Sequence, residues 1–592
     1  MPDSLLGSVS EFDSSKAILW RWLNEHIHIK LNLNDAELRS YKERSFVSGW
    51  EIEIEDDGKR LRLHVLIDGQ YPYSPIRIAY KSEDGYLKWP HIEPQGLLCL
   101  PSRPVPLVGV EEAIHRAIVD SLDLLRSCQN QEFIKRELRR EFISYWQRSA
   151  NKSSPPVRSL LNIENRSSRM IAVWRGQEFT LVGETREQLE KWLSNRWGTK
   201  IFTIVAGGYG FLDHPPTPSY PDEPATLFDL LNEHCSGVMK VIERLPVSEP
   251  LVIILGAEAE GGVGLIGARI GVPKLDGFRK GKVNHPLAVK LALWKMRCKM
   301  SRLEILRCDA SWVHGRGKNP HLKVLLGAHV LVLGCGSLGS QVASRLAQAG
   351  VGSLTLVDPD KLTAANVGRH ALGGDSIGEL KAKALEQVLR RRFPHIENVL
   401  GASCTWQELY ERSPATFTEA SLIVACLGEW SADGQLDEWH ANAQLKVPIV
   451  YGWLDERGSA AHALYLTNGR AFLSCVTGPD GRLRYPETLW SGEVLLEAEP
   501  ACGTLFQPYG AVEVAFAEAL VSKLSLEVLA GYTLSPTHRV YACSTAQLLE
   551  SGGEWSEHHI KHRPPGFDGA FEYERPVVEC GVCRTCIAHF KL

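Results

Sequence analysis

No stretch of the chain is apolar enough to span a bilayer. Its 66 Lys and Arg residues nearly balance 70 Asp and Glu residues, leaving a formal net charge of -4. No global field is therefore available to hold nucleic acid or an anionic membrane. The opening residues, MPDSLLGSVSEFDSSK, lack the basic segment, apolar run and small-residue cleavage site of a secretory signal. Internal repeats are missing too, and so is the low hydrophobicity with high net charge that keeps chains disordered: 44% of residues are hydrophobic and 23% charged. The 14 cysteines are scattered with few close pairs, which in a non-secreted protein suits reduced thiols better than a disulfide framework. Together these absences lead to the expectation of a cytoplasmic protein with neither nucleic acid nor membrane as a partner.

What is present is length. A chain of 592 residues exceeds what one hydrophobic core organises, so three or four domains are expected. Ser15 to His26 reads as an amphipathic helix. Trp50, Ile52 and Ile54 then alternate with Glu51, Glu53 and Glu55, the period of a half-buried strand. Asp56-Asp57-Gly58 makes a turn, and Leu61, Leu63 and Val65 continue the alternation. After Tyr71-Pro72-Tyr73-Ser74-Pro75 comes a strand over Ile76–Tyr80, and Ile114, Ile118, Leu122 and Leu125 mark one helical face. The polar, proline-containing stretch Gln147–Ser159 reads as a linker. Strands follow around Ile171–Val182, Ile201–Val205 and Leu251–Leu255, in a unit without a chemical motif of its own. The expected layout is α/β and multidomain: an α+β unit over 1–150, an α/β linker unit over 160–318, and a Rossmann-like unit over 320–592.

The segment VLVLGCGSLGSQVASRLAQAGVGSLTLVDPD reads strand, glycine turn, helix, strand, with Gly334, Gly336 and Gly339 spaced as G-x-G-x-x-G. Glycines there let the backbone approach a nucleotide at a helix N-terminus, and Asp358, 19 residues past the last of them, can hold a ribose hydroxyl. NAD-dependent dehydrogenases share this motif. The residues that follow do not suit them: Asp358-Pro359-Asp360 leads to Asn366, Arg369, Asp375, Gly378 and Lys381, a polar and basic cluster able to neutralise a triphosphate. The series resembles the adenylation domain of ThiF/MoeB and ubiquitin-activating enzymes. That resemblance implies ATP and Mg2+ as cofactors, Gly334, Gly336, Gly339, Asp358, Asp360 and Asn366 at the nucleotide, and Arg369 and Lys381 promoting attack of a carboxylate on the α-phosphorus. The family places a magnesium aspartate after a buried strand. Here that strand reads SLIVACLGEWS, and Glu429 is the nearest carboxylate. The resemblance also offers Arg316, in WVHGRGKNP, as the arginine that such homodimers insert into the partner's ATP site, the alternative being an ordinary surface arginine.

Adenylation gives a carboxylate a leaving group that a thiolate can displace. Cys502, in EPACGTLFQPYG ahead of a helix whose face is read as Val512, Phe516 and Leu520, resembles the acyl-accepting cysteine of activating enzymes. Cys475 and Cys426 read as structural. Near the N-terminus, YPYSPIRIAY followed by HIEPQGLLCL resembles the ubiquitin-conjugating fold, and Cys99 takes the place of its nucleophile. His91-Ile92-Glu93 stands where His-Pro-Asn is expected, so the usual oxyanion donor is absent and His91 is expected to shape the loop and not to act as a base.

Both modules on one chain make thiol-to-thiol transfer intramolecular. The order resembles the fused activating and conjugating proteins of bacterial CBASS antiphage operons. This resemblance implies a protein carrier whose C-terminus is activated, a cGAS/DncV-like nucleotidyltransferase, joined to target proteins or small amines by a homodimeric enzyme. The tail VVECGVCRTCIAHFKL offers Cys580, Cys583 and Cys586 as candidate zinc ligands, with no partner C-x-x-C pair upstream. Two rivals are a sulfur-carrier adenylyltransferase, which has no need of the Cys99 module, and a non-catalytic nucleotide-binding regulator.

Overall fold

The computed structural model describes residues 7–42, 44–81, 88–101, 108–148, 155–198, 200–217, 220–274, 286–442, 447–467, 470–491, 497–498 and 505–589. No described helix is long and apolar enough to cross a membrane. The chain divides into two units, one of residues 1–185 and 203–306, the other of 186–202 and 307–592.

The first unit opens with helix Gly7–His26 and an antiparallel meander of β1 (His28–Asn32), β2 (Phe46–Asp56), β3 (Lys59–Asp68) and β4 (Arg77–Tyr80). Trp50 and Ile52 pair across to Val65 and Leu63, and all four are buried. Asp57 and Gly58 both take positive φ, 48° and 71°, the two-residue turn whose twist matches the flanking strands. Helix Val110–Ser127 covers one face of the meander with Ile114, Ile118 and Leu125, as their spacing requires.

Helices Gln131–Arg140 and Phe142–Arg148 lead from this layer to an eight-stranded sheet. It contains β5 (Val157–Ser159), β6 (Arg169–Arg175), β7 (Thr180–Gly183), β8 (Ile204–Phe211), β9 (Leu251–Ala259), β10 (Gly262–Ile270), β11 (Met300–Leu303) and β12 (Ile305–Arg307). Their order is β11-β10-β9-β8-β6-β7-β5-β12. Phe142 and Trp146 are buried in that sheet's core, and the Trp146 indole donates to the Gly267 carbonyl at 3.1 Å. Both ends of the expected linker Gln147–Ser159 therefore have other roles: Gln147 and Arg148 finish a helix, and Val157–Ser159 is a strand. The run Ile171–Val182 resolves into two antiparallel strands, and the strand expected from Ile201 starts at Ile204, with Ile201 exposed.

The second unit is a doubly wound sheet with an antiparallel extension. Strands β13 (His329–Leu333), β14 (Ser353–Val357), β15 (Asn398–Ala402), β16 (Leu422–Ala425) and β17 (Ile449–Leu454) are parallel. Strand β18 (Ala460–Leu466) and the strands Thr537–Ser544 and Gly569–Pro576 are antiparallel. The order β15-β14-β13-β16-β17-β18 reverses direction between β13 and β16, and that switch point is where such sheets bind ligands. Helix Ala511–Leu529 buries Val514, Ala517, Leu520, Val521 and Leu524. Of the expected face, Leu520 is buried, whereas Val512 and Phe516 are exposed and Phe516 stacks on Tyr541 at 4.2 Å. Helix Arg186–Trp197, inserted between β7 and β8 in sequence, belongs to this second unit, where the Asn195 amide donates to the Pro394 carbonyl.

Candidate active sites

The turn His91–Cys99 forms the first site. Ile92 bridges Leu98 and Leu97 bridges Ala79, so the segment runs beside β4. The Leu98 N–H donates to the Ile78 carbonyl and the Cys99 N–H to the His91 carbonyl, both at 2.8 Å. A Cβ on Gly96, which has φ of 82°, would sit 2.0 Å from the Tyr80 carbonyl oxygen. Both the backbone conformation and the space demand glycine three residues before the cysteine. Cys99 is exposed.

His91 holds φ of 60° and donates its N–H to the Tyr145 hydroxyl oxygen at 3.0 Å. Its Nδ1 lies 3.0 Å from Oε1 of Glu141 and its Nε2 3.6 Å from Oε2 of Glu137. The Tyr145 hydroxyl donates to Glu141 at 3.2 Å. Hydrogen bonds to Cys99 and then to Glu141 push the imidazole up to about 10, against the effect of burial. The backbone of His91 thus shapes the turn as expected, while its ring lies between the carboxylates of Glu141 and Glu137.

In the second unit, the first glycine turn is built for close approach. A Cβ on Gly339 would lie 1.8 Å from the Gly334 carbonyl oxygen, whereas one on Gly336 would meet nothing within 4 Å. Asp358 accepts the Cys335 N–H and the Asp360 N–H, each at 2.8 Å, and is almost fully buried. It braces the turn. Asp360 is two-thirds exposed at its side chain and pairs with the Lys381 ammonium at 3.0 Å. Asn366 turns its carbonyl oxygen to the N–H and hydroxyl of Thr363.

A cavity of about 560 Å³ opens at the switch point, between the ends of β13, β16 and β17. Gly336, Arg369, Cys426, Asp433, Trp453 and Tyr509 are among its walls. The Arg369 guanidinium lies over the Tyr509 ring at 5.0 Å, and the Tyr509 and Ser337 hydroxyls are 3.2 Å apart. Among the described residues, two buried atoms of the wall have no hydrogen-bond partner, Oδ1 of Asp433 and the hydroxyl of Tyr451. Buried polar atoms facing a cavity are ordinarily satisfied by water or by a polar ligand.

Residues 315–488 match the ThiF family, and residues 23–155 match prokaryotic E2 family B. The chain joins an E2-type domain to a ThiF domain. It is 28% identical over 257 residues to the ATP-dependent ubiquitin transferase-like protein Cap2 of Pseudomonas aeruginosa, covering 42% of this chain and 45% of that protein. To the protein of the same name from Enterobacter hormaechei it is 36% identical over 100 residues, 17% and 16% of the two chains. To molybdopterin-synthase adenylyltransferase of Escherichia coli it is 33% identical over 132 residues, 22% and 51%. The chain thus spans less than half the length of either Cap2 protein it matches.

Within the ThiF domain, Glu429 is exposed and takes the Ser431 hydroxyl at 2.6 Å, away from the cavity wall. The carboxylate on the wall is Asp433, one helical turn further along helix Trp430–Asn442. Burial, and then the charge of Glu429, push its carboxyl up to about 7. The i, i+4 spacing of the two acids is visible in the sequence, but the helix face that meets the cavity is not. Arg316 is exposed between Gly315 and Gly317, with φ of 53°, and is not among the cavity's lining residues. Cys502 lies outside the described residues.

The tail cysteines do have a partner upstream, but it is a single residue. Cys475, on helix Leu473–Val476, joins Cys580, Cys583 and Cys586 with all four sulfurs within 4.8 Å of one another. Cys475, read as structural, thus lies on a short helix beside the tail thiols. Sulfur separations of 3.5 Å (Cys475–Cys586), 4.0 Å (Cys475–Cys583) and 4.0 Å (Cys580–Cys586) bracket the ~3.8 Å edge of a tetrahedron with ~2.3 Å metal–sulfur bonds. The N–H groups of Cys583 and Cys586 donate to Sγ of Cys580 and Cys583, at 3.3 Å each. The donor set fits zinc.

Proposed function

We propose that this protein uses ATP to adenylate the C-terminal carboxylate of a protein carrier, captures the acyl group on Cys502, passes it to Cys99 and delivers it to an amine. The observation that carries this reading is the pairing, on one chain, of an exposed thiol at the end of the Gly96 turn with a switch-point cavity walled by Arg369 and an unpartnered Asp433. The same pairing argues against a sulfur-carrier adenylyltransferase, which has no use for the first thiol.

In this reading Gly336 and the N-terminus of helix Ser337–Ala349 receive phosphate, as the open side of the turn favours. Asp360, whose carboxylate is the exposed one, takes the ribose, while Asp358 fixes the turn. Arg369 and Lys381 supply positive charge at the phosphates, and a bound Mg2+ adds more of it. Asp433, with Glu429 near it, would hold that ion. Arg316 serves a neighbouring subunit of a homodimer. Zinc on Cys475, Cys580, Cys583 and Cys586 ties the chain's tail to helix Leu473–Val476 and has a structural role.

The likeness to ATP-dependent ubiquitin transferase-like proteins supports a ubiquitin-like transfer, and the carrier we propose is a cGAS/DncV-like nucleotidyltransferase in antiphage defence, with target proteins or small amines as acceptors. ATP–pyrophosphate exchange with candidate carriers tests the adenylation step. Exchange that depends on a carrier with a free C-terminal carboxylate supports the reading. No exchange with any carrier, together with tight binding of a nicotinamide dinucleotide, contradicts it.

A further inference from the structure

Helix Trp430–Asn442 reaches from the cavity of the ThiF domain to its thiol cluster. Asp433 stands on the cavity wall, and Asp437, one turn further along the same face, is more than nine-tenths buried. Oδ1 of Asp437 accepts the Leu473 N–H at 2.8 Å and Oδ2 accepts the Ser474 N–H at 3.3 Å, at the start of helix Leu473–Val476. At the other end the Arg484 guanidinium donates to the carbonyls of Thr477 at 3.0 Å and Ser474 at 3.1 Å. The free N–H groups of this short helix thus meet a carboxylate and its free carbonyls meet a cation.

The same short helix borders both places. Leu473 and Thr477, at its two ends, line the cavity, while Cys475 is one of the four clustered thiols. The Ser474 hydroxyl lies 3.2 Å from Sγ of Cys583 and 2.8 Å from the Thr585 hydroxyl. From the other side, Ala441 of helix Trp430–Asn442 packs with Phe472, Cys583 and Cys586 in one buried cluster, and Glu438 pairs with Arg584 at 3.5 Å. His440 ties the far end of that helix to the Val447 carbonyl at 2.7 Å, and Asp437 lies between this anchor and Asp433.

Resting on the adenylation proposed above, we infer that Asp437 is a positioning residue: it sets the turn of helix Trp430–Asn442 that bears Asp433 against the metal-bound thiol cluster. The cluster then governs the cavity as well as anchoring the tail. A metal on the four sulfurs fixes Cys475 and, with it, the backbone of Leu473 and Ser474. Their N–H groups hold the Asp437 carboxylate, and the helix carries that position to Asp433 over about 6 Å, the rise of four residues. Without the metal the thiols lose their shared partner, the two N–H groups are no longer held in place, and the turn of Asp433 loosens with them.

The test is hydrogen–deuterium exchange of the full-length protein, read by mass spectrometry in zinc-loaded and chelator-depleted samples. Depletion should raise uptake about twofold or more at short times in helix Trp430–Asn442, as well as in Leu473–Val476 and Arg584–His589. Asp437→Asn turns an amide N–H2 toward one of the two N–H donors, so it should keep its zinc by atomic emission and yet take up deuterium in helix Trp430–Asn442 as fast as the depleted native protein. In ATP–pyrophosphate exchange the same variant should need about tenfold more Mg2+ for its half-maximal rate, with the rate at saturating Mg2+ little changed. Extra uptake on depletion that stays confined to Leu473–Val476 and the tail, or a native protein that takes up no zinc, would overturn the inference. So would a zinc-loaded Asp437→Asn with native uptake in helix Trp430–Asn442. If that variant sheds its zinc or fails to fold, the depletion of native protein decides alone. Deuterium uptake needs neither ATP nor carrier, so a protein that shows the expected uptake but forms no adenylate counts against the proposed function alone.

Discussion

Cys475 and Cys586 stand 111 positions apart in the chain and 3.5 Å apart at their sulfurs. This contact closes a four-thiol cluster onto helix Leu473–Val476, whose Leu473 and Thr477 neighbours also line the cavity of the ThiF domain. The protein purified without chelator should carry one zinc per chain, measured by atomic emission. Cys475→Ser should lose most of that zinc and lower the melting temperature by several degrees, because the bound ion contributes folding free energy. Unchanged zinc in Cys475→Ser would remove this residue from the site.

Asp433 should show opposite signs in stability and in activity. Its carboxyl is raised to about 7 by burial and by Glu429, so the folded state holds a proton that the unfolded chain releases near pH 4. Stability contributed at this position falls as pH rises from about 4 to about 7 and is flat above. Asp433→Asn should therefore raise the melting temperature at pH 8 and have little effect at pH 4, by calorimetry. If the ionised form holds Mg2+, the same variant should abolish ATP–pyrophosphate exchange, and in the native protein the pH midpoint of exchange should move down as Mg2+ rises.

Arg369→Ala should reduce ATP–pyrophosphate exchange about a hundredfold or more while leaving the fold intact, since its guanidinium rests on Tyr509 at the cavity wall and is not part of the core. Circular dichroism and exchange kinetics check the two halves of that statement. Lys381→Ala should act in the same direction with a larger cost in stability, because Lys381 is buried against Asp360.

Gly96→Ala should disorder the Cys99 turn. A Cβ there meets the Tyr80 carbonyl at 2.0 Å in a left-handed backbone conformation. A destabilisation of a few kcal/mol by denaturant titration is expected, on the order given for strained positions.

Much of this architecture is written in local pattern. The alternation around Trp50 and Leu63, the Asp57-Gly58 turn and the face Ile114–Ile118–Leu125 all appear in the structure because each depends only on neighbours in sequence. The glycine turn after β13 is legible for the same reason. What escapes the sequence is long-range. Nothing near Cys475 points to a cluster more than a hundred residues away. Glu141 and Tyr145 reach His91 from helices that carry no motif. Asp433 is hidden because its role depends on which face of helix Trp430–Asn442 meets the cavity. Val512 and Phe516 mislead because the helix Ala511–Leu529 is apolar on more than one side, and only packing selects the face of Val514 and Val521.

The most direct test of acyl transfer through two thiols is a non-reducing gel of the native protein, Cys99→Ala and Cys502→Ala, each with ATP and a candidate carrier. The account predicts a reducible carrier adduct in the native protein, its accumulation on Cys502 in Cys99→Ala, and no adduct of any kind in Cys502→Ala. Equal loss in both variants, or a full adduct in Cys502→Ala, would contradict it.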